Sequence, residues 1–193
     1  MSKKKLTAKD LVKKGFPYAV AIGIMATITM GWNGKNLDKI QNYFQVKALF
    51  PSSGIVSIVE DGDTFTLKSG IKVRLLGINT PERGQKNYSE ATNYLSNQLT
   101  NHLVYLEYDR YQDDIYSRVL AWVWIDCEKT PKFLPADYMH KSGNESMPGL
   151  IDNPTGCKKG KLVNEELVKT KFAIPISYQD RGELKYESRL SSP

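Results

Sequence analysis

The sequence predicts a mainly β domain with helices (α+β), and three observations predict it. Residues 55–78 form three short β-branched runs separated by tight turns, residues 89–101 carry an amphipathic helical pattern, and residues 104–109 and 119–125 form two further strand-like runs. Three strands, a helix and two strands suit a five-stranded barrel of the OB type.

The 193 residues are 40% hydrophobic and 25% charged, enough for one compact domain plus extensions, with no internal repeat or low-complexity tract. The formal charge of +6 invites a nucleic-acid reading, but six lysines (Lys3, Lys4, Lys5, Lys9, Lys13 and Lys14) lie in residues 1–32 against one acid, Asp10. The remainder holds 21 basic and 20 acidic residues, so net charge is no argument for a polyanionic partner and steering has to come from local clusters.

In chain order, those lysines lead into residues 15–34, twenty positions without a charge. At ~1.5 Å per residue such a helix reaches about 30 Å, enough to span a hydrocarbon core. Residues 1–34 therefore read as an export signal ending in a hydrophobic helix, either retained as a single-pass membrane anchor or cleaved as a signal peptide; a buried soluble helix is the third reading. Thr29-Met30-Gly31 is a poor small-x-small cleavage site, which favours the anchor. Either form of export puts the remainder at the extracellular face of the membrane or in the medium. Residues 35–53, with Leu37, Ile40 and Phe44 at near-helical spacing before Pro51-Ser52-Ser53-Gly54, read as a linker, leaving 54–193 as the domain.

Within the domain, strands are expected at 55–59, 64–68 and 71–78, turning at Asp61-Gly62 and Ser69-Gly70 and stopped by Pro81. Ser89 is the expected N-cap of the helix, with Ala91, Leu95 and Leu99 on its buried face. The expected core holds Val56, Ile58, Phe65, Leu67, Val73, Leu75, Leu106, Val119, Ala121 and Val123.

Polar residues gather where the strands end: Asp61 and Asp63 at the first turn, and Asn79, Thr80 and Glu82 past the third run, which contains Arg74. Taken singly, each has an ordinary explanation as a turn former, a solvent-facing strand residue or a loop carboxylate. Their order is the specific signal. DGDT, VRL, GINTPE and DIYSRVLAWVW (114–124) together resemble the staphylococcal nuclease (thermonuclease) family, whose pattern is roughly DGDT, RL, DTPE and D-x-Y-G-R-x-LAYV. The resemblance covers about 54–125 and resumes at 162–173, LVNEELVKTKFA.

The resemblance implies an OB-type barrel that hydrolyses DNA and RNA with calcium, with Arg74, Glu82 and Arg118 catalytic. It also implies Asp63, Asn79 and the Thr80 carbonyl as metal ligands, and Tyr116 against the substrate. The residue types permit those roles. Arginine forks suit phosphate, carboxylate and carbonyl oxygens suit a hard cation such as Ca²⁺, and Glu82 can take a proton from water. A monomer is expected. Neither His102 nor His140 lies in a motif, which disfavours a histidine-based hydrolase. A glycoside hydrolase built on Asp63 and Glu82 is disfavoured by the two arginines.

The chain departs from the family pattern in four places. Asn79 replaces the Asp of DTPE, Ser117 stands where Gly is usual, and residues 126–160 form an insert of thirty-five residues. After Tyr178, where the family continues through a long closing helix, GELKYESRLSSP stops early, which leaves the covering of the barrel open. The alternative function these departures suggest is a catalytically weakened OB-type module that binds nucleic acid at the cell surface. Cys127 and Cys157 bound the insert and, in an exported protein, can close it as a disulfide. Two free thiols, or a zinc site with His140, are the competing readings.

Overall fold

The structure, a computed structural model, describes residues 8–14, 49–140, 147–177 and 184–191. The expected hydrophobic helix at 15–34, the spacer at 35–48 and Tyr178 lie outside the described residues. Among the described residues no helix is long and apolar enough to cross a membrane. The chain divides into two compact units, residues 1–51 and 52–193, and the first contains the short helix α1 (Ala8–Lys13).

In the second unit the alternating runs form β1 (Ser53–Val59), β2 (Thr64–Leu67), β3 (Lys72–Leu75) and β4 (Ile78–Asn79), followed by α2 (Tyr88–Leu99), β5 (Leu103–Glu107) and β6 (Val119–Ile125). Then come β7 (Lys161–Leu162), α3 (Val163–Lys169), β8 (Ile174–Pro175) and α4 (Glu187–Leu190). β1, β2 and β3 are an antiparallel meander. β5 pairs with the other side of β1 and with β6, and β6 runs parallel to β3, closing a five-stranded barrel. Closure leaves no edge on these five strands for another chain to pair with.

The expected third strand at 71–78 is two strands. Gly77 turns between them at φ 76°, where a Cβ would stand 3.0 Å from Trp122 and from Leu190. Ile58 is 58% exposed rather than in the core. A register shift between Val56 and Ile58 sets Val56 opposite Leu67 but Ile58 opposite Thr66, and one extra residue reverses which face a side chain meets. The other nine expected core residues are buried. α2 buries Ala91, Leu95 and Leu99 as its period requires, but it starts from Asn87 in the left-handed region (φ 66°) with no side-chain cap, and Ser89 lies exposed inside it. Asn tolerates that conformation better than most side chains.

All seven residues of β6 are buried. Trp122 and Trp124 each meet the ring of Tyr186 edge-on at 5.4 Å, so the segment 184–190 lies over this strand and buries Leu184, Lys185, Tyr186 and Leu190. Lys185, 0% exposed, donates from Nζ to Glu107 Oε1 (3.2 Å), to the Tyr108 carbonyl (2.7 Å) and to the Leu134 carbonyl (3.0 Å). Glu107 Oε2 accepts from Tyr186 Oη (2.9 Å) and Trp124 Nε1 (3.1 Å). Asp109 Oδ2 accepts from Trp122 Nε1 (2.9 Å) and from the Lys185 N–H (2.8 Å). Those residues cover the outer face of β6.

On α3, buried Asn164 accepts the Val123 N–H at Oδ1 (3.0 Å) and donates from Nδ2 to the Leu76 carbonyl (2.8 Å), tying the helix to β6 and to the turn after β3. Arg189 pairs with Glu165, joining α4 to α3. A disulfide joins Cys127 to Cys157 across the base of the insert, and Lys132 and Thr155 bridge its two arms. By the loop-entropy account such a closure is worth about 3 to 4 kcal/mol. The zinc reading is overturned, because the two sulfurs bond to each other and His140 Nδ1 accepts from Arg110 Nη2 at 3.1 Å.

Removing one member of a buried ion pair leaves the other charge uncompensated and typically costs 3–5 kcal/mol, whereas an apolar replacement of the pair is often neutral. Lys185→Ala should therefore lower unfolding stability in urea by roughly 3–5 kcal/mol, and Glu107→Leu with Lys185→Met should recover most of it. A loss below about 1 kcal/mol for the single variant would show that the pair does not hold the C-terminal segment.

Candidate active site

The site begins at the turn between β1 and β2. A Cβ at Gly62 would stand 2.7 Å from Thr80 Oγ1 and 2.9 Å from the Ala91 Cβ, so only glycine lets this turn press against the Thr80 segment and α2. Asp61 Oδ1 accepts the Asp63 N–H at 3.0 Å, shaping the turn as an Asx motif. The turn delivers Asp63 into the interior, 6% exposed, with Oδ1 accepting from Thr64 Oγ1 (3.0 Å) and Oδ2 from the Thr80 N–H (3.3 Å). Burial pushes the Asp63 carboxyl above its ordinary pKa; Arg74 opposes the shift and Asp61 adds to it.

Pairing of β2 with β3 sets Thr64 opposite Arg74. The Arg74 guanidinium lies 3.3 Å from Asp63 Oδ2, donates to Asn79 Oδ1 (3.0 Å) and holds the Leu75 and Ile78 carbonyls at 3.0 and 3.2 Å. It is thus aimed by four acceptors from three positions of the turn around Gly77 and from Asp63. Asp63 and Asn79 share the Arg74 guanidinium and the Thr80 N–H meets Asp63; a carboxylate, an amide oxygen and a backbone carbonyl are donor types that a hard cation takes. Glu82 follows Pro81 at the exposed rim; Gln85 Oε1 accepts its N–H at 2.8 Å, and its carboxylate makes no hydrogen bond or ion pair among the described residues.

The second arginine comes from the loop between β5 and β6. Asp114 Oδ1 accepts the N–H groups of Tyr116 (2.9 Å) and Arg118 (3.1 Å), and its Oδ2 accepts from Arg118 Nε at 2.8 Å. Arg118 Nη1 then reaches Thr64 Oγ1 at 3.3 Å. Three contacts therefore link the guanidinium groups: Arg118 to Thr64, Thr64 to Asp63, and Asp63 to Arg74. Tyr116 is 71% exposed with its ring 5.2 Å from the Arg118 guanidinium, and Ile115 beside it is 90% exposed. Ser117 does take the left-handed backbone (φ 60°).

The structure thus joins Asp63, Arg74, Asn79, Thr80 and Arg118 in one network and sets Tyr116 at its edge, while Glu82 stands on the same segment outside that network. Asp114, expected as a turn or hydrogen-bonding residue, aims Arg118. Two contributors were not singled out by sequence reasoning: Thr64 bridges the arginines and Gln85 pins the Glu82 backbone. The T of DGDT was the available signal for Thr64.

Residues 72–192 match the family model described as staphylococcal nuclease homologue. Similar curated proteins include a thermonuclease of Staphylococcus intermedius, 44% identical over 85 residues, covering 39% of this chain and 51% of that protein. A thermonuclease of Staphylococcus hyicus is 38% identical over 79 residues, covering 36% of this chain and 47% of that protein. The chain thus spans about half the length of the curated relatives it matches.

Burial raises the Asp114 pKa, but hydrogen bonds from the Arg118 guanidinium and from the N–H groups of Arg118 and Tyr116 outweigh it and hold the carboxyl below its ordinary value. A depressed folded-state pKa contributes stability above the unfolded value and loses it as pH falls through the folded value. Asp114→Asn should accordingly melt below the wild type at neutral pH, and the two curves should converge as pH drops below about 3.9. A gap that stays constant from pH 7 to pH 3 would show that charge at Asp114 is not what holds the loop.

Proposed function

The chain belongs to the family of staphylococcal nuclease homologues, and from that premise we propose that it is an exported, calcium-dependent nuclease that cuts DNA and RNA phosphodiesters. The observation that carries the reading is the pair of guanidinium groups held by one hydrogen-bonded chain through Asp63 and Thr64. Two fixed forks on one side of an exposed rim suit the equatorial oxygens of a phosphate whose charge grows during substitution. Binding alone gives no reason to set a carboxylate, Glu82, on the segment beside them, where it repels the ligand.

In this mechanism Arg74 and Arg118 hold the phosphate, and Tyr116 contacts the strand next to it. Glu82 takes a proton from a water that attacks phosphorus; the bond to the 5′-oxygen breaks, that oxygen takes a proton from solvent, and the products carry a 3′-phosphate and a 5′-hydroxyl. Asp63, Asn79 and the Thr80 carbonyl would hold calcium, which when bound would supply further positive charge beside the phosphate. Asp114 and Thr64 act by fixing Arg118, so little reorganisation is needed when charge develops.

Export rests on the uncharged run that follows the N-terminal lysines, and the disulfide at the base of the insert supports it, since such bonds persist in oxidising compartments. Protease added to intact cells should digest residues beyond 34, or the protein should be recovered from the medium; protection until lysis would refute export.

The purified protein is to be incubated with labelled single-stranded DNA and RNA, with Ca²⁺ or chelator, and the product ends identified. Glu82→Gln, Arg74→Ala and Arg118→Ala should each remain folded and lower turnover by at least ~10²-fold. Folded variants with near wild-type rates would refute the mechanism. Asn79 and Ser117 favour the second reading, a binding module: in that case all forms bind strands in a salt-dependent way and none cuts. Because Asn79 removes one negative charge from the ligand set, Asn79→Asp should bring half-saturation by Ca²⁺ to about tenfold lower concentration. An unchanged half-saturation point would remove Asn79 from the metal shell.

A further inference from the structure

α3 ends in a Schellman motif. The Lys171 N–H donates to the Val168 carbonyl at 2.9 Å and the Phe172 N–H to the Leu167 carbonyl at 3.0 Å. That geometry puts Lys171 in the left-handed region at φ 62°, the position glycine fills most readily because it has no Cβ to strain. The lysine side chain returns nothing to the helix: among the described residues it makes no hydrogen bond or ion pair, and it lies exposed. What it does is line a cavity of about 190 Å³. One wall of that cavity is Asn79, Thr80 and Gln85, and the other is the stretch from Lys171 to Ile174.

Pairing of β4 with β8 sets Asn79 opposite Ile174, so the lysine segment is fixed against the strand that carries Asn79. Lys171 is the one charged residue among those lining the cavity, and no acid lines it. Gln85 gives its Oε1 to the Glu82 N–H, which leaves its amide hydrogens as donors to a ligand. An ammonium beside amide donors, without a carboxylate, suits a phosphate oxygen. The cavity shares Asn79 and Thr80 with the cluster around Arg74.

We propose that Lys171 and this cavity form a second phosphate subsite, which holds the backbone phosphate of a nucleic-acid strand next to the one gripped by Arg74 and Arg118. The subsite rests on the nuclease reading of the neighbouring cluster and adds to it a reason for a strained lysine where glycine would relax the backbone. It makes the enzyme prefer substrates that extend past the cut bond and gives binding one more salt-dependent contact.

The test compares Lys171→Gly, Lys171→Ala and Lys171→Arg in the full chain, with single-stranded DNA oligonucleotides and with a dinucleotide that has only the scissile phosphate. Lys171→Gly should raise the melting temperature by relieving the backbone while raising KM for the oligonucleotide roughly threefold to tenfold. Its slope of log affinity against log salt should fall by about 0.7. Lys171→Arg should keep the wild-type KM, and the dinucleotide should not distinguish any variant from the wild type. Opposite signs on stability and KM are what a purely structural lysine cannot produce. Unchanged KM and salt slope for Lys171→Gly and Lys171→Ala, with the wild type cutting normally, would overturn the subsite and leave the nuclease reading standing. If the wild type does not cut, that reading fails, and oligonucleotide affinity by fluorescence anisotropy decides the subsite by the same salt slope.

Discussion

The buried ion pair of Glu107 with Lys185 is the constraint on which the rest of the second unit depends. Burial raises the Glu107 pKa and Lys185 opposes that shift, so the carboxylate requires its ammonium, and the ammonium requires the carbonyls of Tyr108 and Leu134. Satisfying both charges brings β5, the insert and residues 184–190 to one place. Trp122, Trp124 and Tyr186 pack around the pair and donate to Glu107 and Asp109, which leaves no buried polar side-chain atom unpaired among the described residues. The surface of β6 facing away from the barrel interior is thereby closed.

The network also sets the starting point of the candidate site. Asp109, held by Trp122 and by the Lys185 backbone, fixes the chain just past β5, where it enters the loop that carries Tyr116 and Arg118. From there Asp114 clamps the loop by four contacts to Tyr116 and Arg118, and Arg118 meets Thr64. Asp63 and Arg74 approach from the opposite strands. Both guanidinium groups are oriented by acceptors of the folded chain itself, as the proposed mechanism requires of donors aimed at a developing charge. Glu82, by contrast, sits on an exposed rim where only its backbone is pinned, which suits the proton-taking role proposed for it.

Two left-handed residues, Ser117 and Lys171, flank this site where glycine would be easier. Each is stabilised by its surroundings, Ser117 by the Asp114 turn and Lys171 by the end of α3. Strain of this kind persists only where neighbouring contacts over-determine the backbone, and such places cluster at functional sites. The insert, closed by its disulfide, contributes the Leu134 carbonyl to the buried lysine and so belongs to the structural half of the molecule as well as to its surface.

What the sequence by itself determined is what depends on near neighbours along the chain. Alternation marked the strands, Asp-Gly and Ser-Gly marked the turns, the period of α2 marked Ala91, Leu95 and Leu99, and the spacing of DGDT, VRL, NTPE and Y-x-R marked the residues now linked around Asp63. Nine of ten expected core positions are buried for the same reason: a period of two survives as long as the register does. What only the tertiary structure decided depends on groups far apart in sequence. The bulge that turns Ile58 outward is a mismatch between two strands, and burial of both faces of β6 needs residues 184–190, some sixty positions later. Nothing in its own neighbourhood marks Lys185 as buried, because its partners, Glu107 and Leu134, are 78 and 51 residues away. A side chain's own sequence neighbourhood states its chemistry, but whether a charge is buried depends on which distant oxygens the chain brings to meet it.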